Sequence, residues 1–222
     1  MSLHGPRTSI IPTLLFRYGE AFTKGIPMNH PIQFSTSVAL KRGSLVISYR
    51  VENQSAKEIY LTNHGVRIDP QKGQIPDRSA VFVYLLEKEK IVHITKRRPS
   101  PPKKLVAQVL MHFITQVTPG GVFSEDINIP LPIEANIPYE DTRPPFGSEE
   151  VTEFRLVQFS VGYIEGSSFI RAAASEYGGE KVLSIVPALD ERGKPVPIPH
   201  KLEEKYLFSP TYDLKIPVRL WK

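Results

Sequence analysis

The stretch Ser44 to Asn63, SLVISYRVENQSAKEIYLTN, sets what this chain can become. Leu45, Ile47, Tyr49 and Val51 alternate with Val46, Ser48, Arg50 and Glu52. A period of two gives one apolar face and one mixed face, the pattern of a half-buried β-strand. The run breaks at Asn53-Gln54-Ser55-Ala56, where Asn and Ser side chains can bond their own backbone and favour a turn. Lys57 to Thr62 then resumes with Ile59 and Leu61 on one face, so the spacing predicts a β-hairpin. Prolines press the same way. There are 21 in 222 residues, and each fixes φ and removes a donor, which nearly excludes long helices.

The rest of the chain reads as further strands. Ile32 to Lys41 alternates and enters the organising strand through Lys41-Arg42-Gly43. Ala80 to Leu86, AVFVYLL, is apolar on both faces and belongs at the centre of a sheet. It forms a hairpin with Ile91–Thr95 across Glu87-Lys88-Glu89-Lys90. Leu105 to Phe113 is a strand, Thr118-Pro119-Gly120-Gly121 a turn, and Phe123 to Ile133 an edge strand marked by Pro130 and Pro132. Val151 to Ile164 shifts phase near Leu156-Val157, which predicts a β-bulge. Lys181 to Leu189 and Pro195 to Ile198 flank a hairpin turn at Asp190-Glu191-Arg192-Gly193, and Tyr212 to Leu220 alternates cleanly. Phe169 to Tyr177, FIRAAASEY, with three consecutive alanines, is the expected helix.

These readings give an all-β, immunoglobulin-like antiparallel β-sandwich of about nine or ten strands with one short helix. Residues 1–30 are expected as an irregular N-terminal arm and 31–164 as the sandwich core. Residues 165–222 are expected as a C-terminal extension packed on the same domain.

Composition removes several function classes. There are no cysteines, so disulfides, thiolate chemistry and Cys-ligated zinc are excluded. The six histidines (His4, His30, His64, His93, His112, His200) show no metal-ligand spacing, although His93 and His112 are candidates for cross-strand neighbours. Gly166-Ser167-Ser168 is no nucleophile elbow and Gly178-Gly179 no phosphate cradle, so the chain reads as non-enzymatic, with no cofactor and no metal. Ile10 to Phe16 is apolar but short and carries Pro12, so neither a signal peptide nor a transmembrane helix is expected. The chain reads as soluble and cytoplasmic as it stands, or extracytoplasmic if a signal has been removed.

Three local features carry functional expectations. With a net charge of +5, the run Lys96 to Lys104 is an extended, exposed loop whose Lys96, Arg97, Arg98, Lys103 and Lys104 could hold a nucleic acid, another anionic polymer or an anionic membrane surface. Tyr139, Phe146 and Trp221 are the candidates for an aromatic platform in a carbohydrate-binding module or hydrolase. Asn53-Gln54-Ser55 is a formal N-glycosylation sequon. The leading expectation is different: binding of another protein, or of a second copy as a homo-oligomer, through an exposed strand edge or end loops. Strands Ile32–Leu40 and Ile91–Thr95 lack the prolines that guard Ile127–Ile133 and Tyr212–Leu220.

The runs VENQSAKEIYLTN and TPGGVFSEDINIPLPI resemble turn-and-strand patterns of bacterial intracellular proteinase inhibitors and periplasmic pilus-assembly chaperones. The resemblance is made of turn chemistry. It implies an immunoglobulin-like fold and identifies no family.

Overall fold

The computed structural model describes residues 30–100, 102, 110–140, 142, 147–198 and 202–221. Among them are fourteen strands and no helix. In order they are β1 (Ile32–Lys41), β2 (Ser44–Asn53), β3 (Ile59–Asp69), β4 (Gly73–Asp77), β5 (Phe82–Leu86), β6 (Ile91–Lys96) and β7 (Phe113–Val117). Then come β8 (Val122–Pro130), β9 (Ile133–Glu134), β10 (Glu149–Glu165), β11 (Ile170–Tyr177), β12 (Glu180–Pro187), β13 (Lys205–Phe208) and β14 (Tyr212–Trp221). The expected arm at residues 1–30 falls outside the described residues except for His30, as do residues 105–109 of the strand expected over Leu105 to Phe113; residues 110–112 are not in a strand, and β7 begins only at Phe113.

Three strands, ordered β1-β2-β8, form a small sheet, and the other eleven form a larger one. The alternation seen in β2 is the reason they pack together. Leu45, Ile47, Tyr49 and Val51 are all buried, and they meet Val92, Ile94, Phe154, Phe159, Ile216 and Val218 of the larger sheet in one apolar cluster. At about 25 cal/mol per Å² of apolar surface removed from water, this interface is the main source of stability. A second cluster, built on Tyr60, Ile114, Ile164 and Ile170, lies apart from the first and is joined by Leu183 and Ile185 of β12. The architecture is thus all-β and sandwich-like.

The organising stretch is not a hairpin. β2 pairs with β1 and β8, whereas β3 pairs with β4, β7 and β10 in the other sheet. The chain passes forward from one sheet to the other at Asn53, and its partner does the same in reverse between β7 and β8. Asn53 holds this corner. Its fully buried amide donates to Lys57 O (2.8 Å) and Val117 O (3.0 Å) and accepts from Ser55 N (3.1 Å) and Ser55 Oγ (2.6 Å). Its main chain pairs with Gly120 and Gly121 of the returning strand. Asn53 and Ser55 bond locally as the turn chemistry predicts, but the turn leads into a second sheet.

β10 is the spine of the larger sheet. It runs 17 residues, with β14 and then β13 along one side and β6 and then β3 along the other. The register slips between Phe154 and Leu156, close to the expected bulge, and Lys90 O accepts from both Arg155 N and Leu156 N there. Two pairings, β6 with β10 and β9 with β14, are parallel, which an antiparallel sandwich does not include.

Four further expectations are corrected. Residues Ile170–Tyr177 form β11, paired along its length with β12, because strand pairing and burial of Ile170 outweigh the helix propensity of three alanines. AVFVYLL is not central: among the described residues β5 pairs only with β6, apart from a Val83–Asn136 bridge. The strands buried on both faces are the start of β3, where Ile59 to His64 are all buried, and the second half of β10, where Val157 to Ile164 are. β6 is not an open edge, since β5 and β10 flank it, and β14 lies between β10 and β9.

Candidate functional site

Two places in this fold present unsatisfied recognition chemistry, a strand edge and a polar cavity. The edge belongs to β1, which ends the small sheet and pairs on one side only among the described residues. Pro31 O accepts from Gln54 N, so odd-numbered residues point their backbone groups at β2 and even-numbered ones point away. Two outward groups are occupied by side chains. Ile32 N donates to His30 Nδ1 (3.2 Å), and Thr36 O accepts from Tyr212 OH (2.7 Å). Phe34, Val38 and Leu40 also face outward, and no described strand pairs with that side. The outward-turned side chains Gln33, Ser35 and Ser37 are exposed, small or polar, and uncharged. On the opposite edge of the sheet, β8 carries Glu125, Asp126 and Pro130.

The cavity, of about 300 Å³, opens where β3 and β6 approach residues 110–112 and 136–140. Behind its wall runs a chain of buried polar groups. Lys96, 2% exposed, donates through Nζ to Glu125 Oε2 (2.8 Å) and to the Arg78 carbonyl. Tyr49 OH donates to the same Glu125 oxygen (2.5 Å) and accepts from Asn63 Nδ2 (3.3 Å). Burial, then the charge of Glu125, pushes the Tyr49 phenol well above its ordinary pKa, so its proton stays in place. Burial draws Lys96 below its ordinary value against the pull of Glu125. His112, in the cavity wall, is lowered to about 3 by burial and by the charges of Arg98 and His64, and is therefore neutral. His64 is lowered too, by burial and then by Arg78 and Lys96.

The basic run is only partly a surface feature. Lys96 ends β6 inside the molecule, ion-paired with Glu125. Arg97 is half-buried, donates to Tyr84 OH and lies 5.1 Å over the Tyr84 ring. Arg98 is half-buried as well, its main-chain N–H donating to Glu204 Oε1 (2.9 Å) and its Nη2 to Leu202 O (2.9 Å). Lys103 and Lys104 lie outside the described residues. The burial follows from β6 lying inside the larger sheet, so the run begins in the core and not after it.

The three aromatic candidates do not form a platform among the described residues. Tyr139 lines the cavity, its OH accepting from Leu110 N (3.0 Å), whereas Trp221 pairs with Glu149 at the end of β14 and Phe146 lies outside the described residues. A different aromatic strip forms on β5, β6 and β13: Tyr84, His93, Phe208 and Tyr206 succeed one another at 6.1–6.2 Å between centroids. Its rings cover one another, and His93, lowered to about 4 by burial and Arg97, bonds Ser160 Oγ (3.0 Å). His93 is a neighbour of Tyr84 and Gln158, not of His112. The Asn53 sequon is closed in the folded chain because the amide is buried and fully bonded.

Sequence reasoning missed Glu125, Tyr49 and Asn63. The one available signal was Tyr49, a phenol on an otherwise aliphatic buried face, where the hydroxyl requires a partner. Among the described residues no His, Asp and Glu side chains converge as a metal site would require, and no helix is long and apolar enough to cross a membrane. Compared with known proteins, the chain matches no family model, no curated protein and no solved structure.

Proposed function

We propose that this protein is a non-enzymatic, immunoglobulin-like interaction module whose β1 edge accepts an extended strand from another protein chain, in the first place a second copy of itself. The observation that carries this is the asymmetry of the small sheet. One edge has charge and proline, the usual guards against strand addition, and the other has nine residues, Ile32 to Leu40, with neither before Lys41. Main-chain hydrogen bonds would supply affinity, and Phe34 and Val38, packed on the core, would keep the edge in register. Antiparallel pairing of β1 with its own copy closes on a two-fold axis and stops at a dimer. The immunoglobulin-like reading is supported by the two packed sheets and by a ribbon that changes sheet at the Asn53 corner.

Light scattering on the purified chain at low and high salt tests this. A dimer that persists at high salt is expected, because backbone pairing is not screened as surface charge is. Val38→Pro removes one outward N–H and leaves the bonds to β2 in place, so it should give a monomer with a retained thermal transition. A wild-type monomer at every concentration, or a dimer unaffected by Val38→Pro, removes the proposal.

A further inference from the structure

We propose that the cavity between β3, β6 and residues 110–112 and 136–140 binds a small, neutral, polyhydroxylated molecule of the monosaccharide or cyclic-polyol class. The cavity is separate from the β1 edge.

The orientation of the Asn63 amide is fixed by its neighbours. Glu125 accepts from both Lys96 and Tyr49, so the Tyr49 proton is committed and its oxygen can only accept. Asn63 must therefore turn Nδ2 toward Tyr49, which sends Oδ1 the other way. That oxygen is buried, has no hydrogen-bond partner, and belongs to a residue that is 3% exposed and lines the cavity. His112, also in the lining, has a buried Nε2 without a partner. Buried polar atoms left in this state cost about 1–3 kcal/mol each, and a lining residue that keeps one has a use for a visitor.

The character of the visitor follows from what the wall offers. Asn63 Oδ1 calls for a donor. The neutral imidazole of His112 takes a donor or an acceptor according to its tautomer. Charge is already balanced: Lys96 and Arg97 are offset by Glu125 behind the wall and Glu140 in it. With Lys96 already paired to Glu125, an anion in the cavity would meet the carboxylate of Glu140 and a cation the guanidinium of Arg97, so neither is favoured over a neutral molecule. Hydroxyl groups donate and accept at once, and the C–H face of a sugar ring suits the apolar part of the wall made by Phe82, Met111 and Tyr139. The volume lies at the lower end of the range for ligand pockets, which limits the occupant to about a dozen non-hydrogen atoms.

Saturation-transfer NMR on the full chain, with D-glucose, D-galactose, D-mannose and myo-inositol as separate millimolar probes, reads the weak binding expected. At least one probe should show saturable transfer, and His112→Leu should weaken it about tenfold or more, the loss of roughly one hydrogen bond to a buried group. In labelled wild-type protein the same probe should shift the backbone amides of Gly65, Phe82 and Met111. This second readout needs no variant and stands even if His112→Leu does not fold. No transfer to any of the four probes overturns the proposal and leaves the cavity to water alone. So do shifts confined to the exposed strip at Tyr206 and Phe208, or equal or tighter binding of glucose 6-phosphate or glucosamine.

Discussion

Removing the Glu125 carboxylate leaves Lys96 as a buried ammonium bonded to the Arg78 carbonyl without its ion-pair partner, and takes away the acceptor on which Tyr49 depends. Breaking one partner out of a buried ion pair costs about 3–5 kcal/mol, most of it desolvation of the charge left behind. Glu125→Gln should therefore lower the free energy of unfolding by about that amount, read as a lower urea midpoint at an unchanged m-value. The pair Lys96→Met with Glu125→Gln should recover a large part, because no charge then remains in the core. If the double variant is as unstable as the single one, the ion pair is not the source of the loss. None of this was legible from composition. Lys96 opens a run of cations and reads as a loop residue, and only its place at the end of a strand flanked on both sides brings it inside.

At the level of elements, the hairpin of β11 and β12 turns on Gly178 and Gly179, with φ of 59° and 85°. A two-residue turn with both residues at positive φ matches the right-handed twist of its strands, and side chains with a Cβ are strained there. Gly179→Val should cost about 1–2 kcal/mol in chemical denaturation, whereas Gly179→Asn, which tolerates that region, should cost less. Equal losses would show that the turn conformation is not what matters. The Gly-Gly pair was the readable signal for this hairpin, and the three alanines before it drew the reading toward a helix. Where strands alternate, as in β1, β2 and β14, their existence was plain from sequence. Pairing partners were not. β3 is buried on both faces although Thr62, Asn63 and His64 interrupt its apolar run, and nothing local distinguishes it from β5, whose five apolar residues lie near an edge. For the same reason the edge of β1 was legible and the cavity was not: an edge needs one strand, a cavity needs several segments far apart in sequence.

The whole molecule carries a pH signature set by its histidines. His93 is lowered to about 4 and His112 to about 3, both mainly by burial, from an unfolded value near 6.5. Since the folded values are the lower ones, the unfolded chain binds more protons below about pH 6.5, and stability falls as pH drops from there toward 4. Each histidine contributes a slope approaching about 1.4 kcal/mol per pH unit within its window. Glu52, held low by Gln54 and Arg50, and Asp69, held low by the Lys72 and Gln71 amides, act in a separate and more acid window. Thermal melts between pH 4 and 7 should show the slope, and His93→Phe should reduce it without abolishing it, because His112 and His64 are lowered as well. A flat profile across that range would mean that both imidazoles reach solvent in the folded chain.

The corner at Asn53 also decides where this chain tolerates cutting. The ribbon of β2–β3 and β7–β8 is one continuous strip creased across the middle, and both layers of the molecule hang from the crease. Extra residues inserted between Gln54 and Lys57 would enter the crease itself and unpick both layers together. The tip at Glu191-Arg192-Gly193 is exposed and its bonds close locally on Asp190, so new termini or a guest sequence placed there leave the strip intact. A tag, a circular permutation or a reporter domain belongs at that tip.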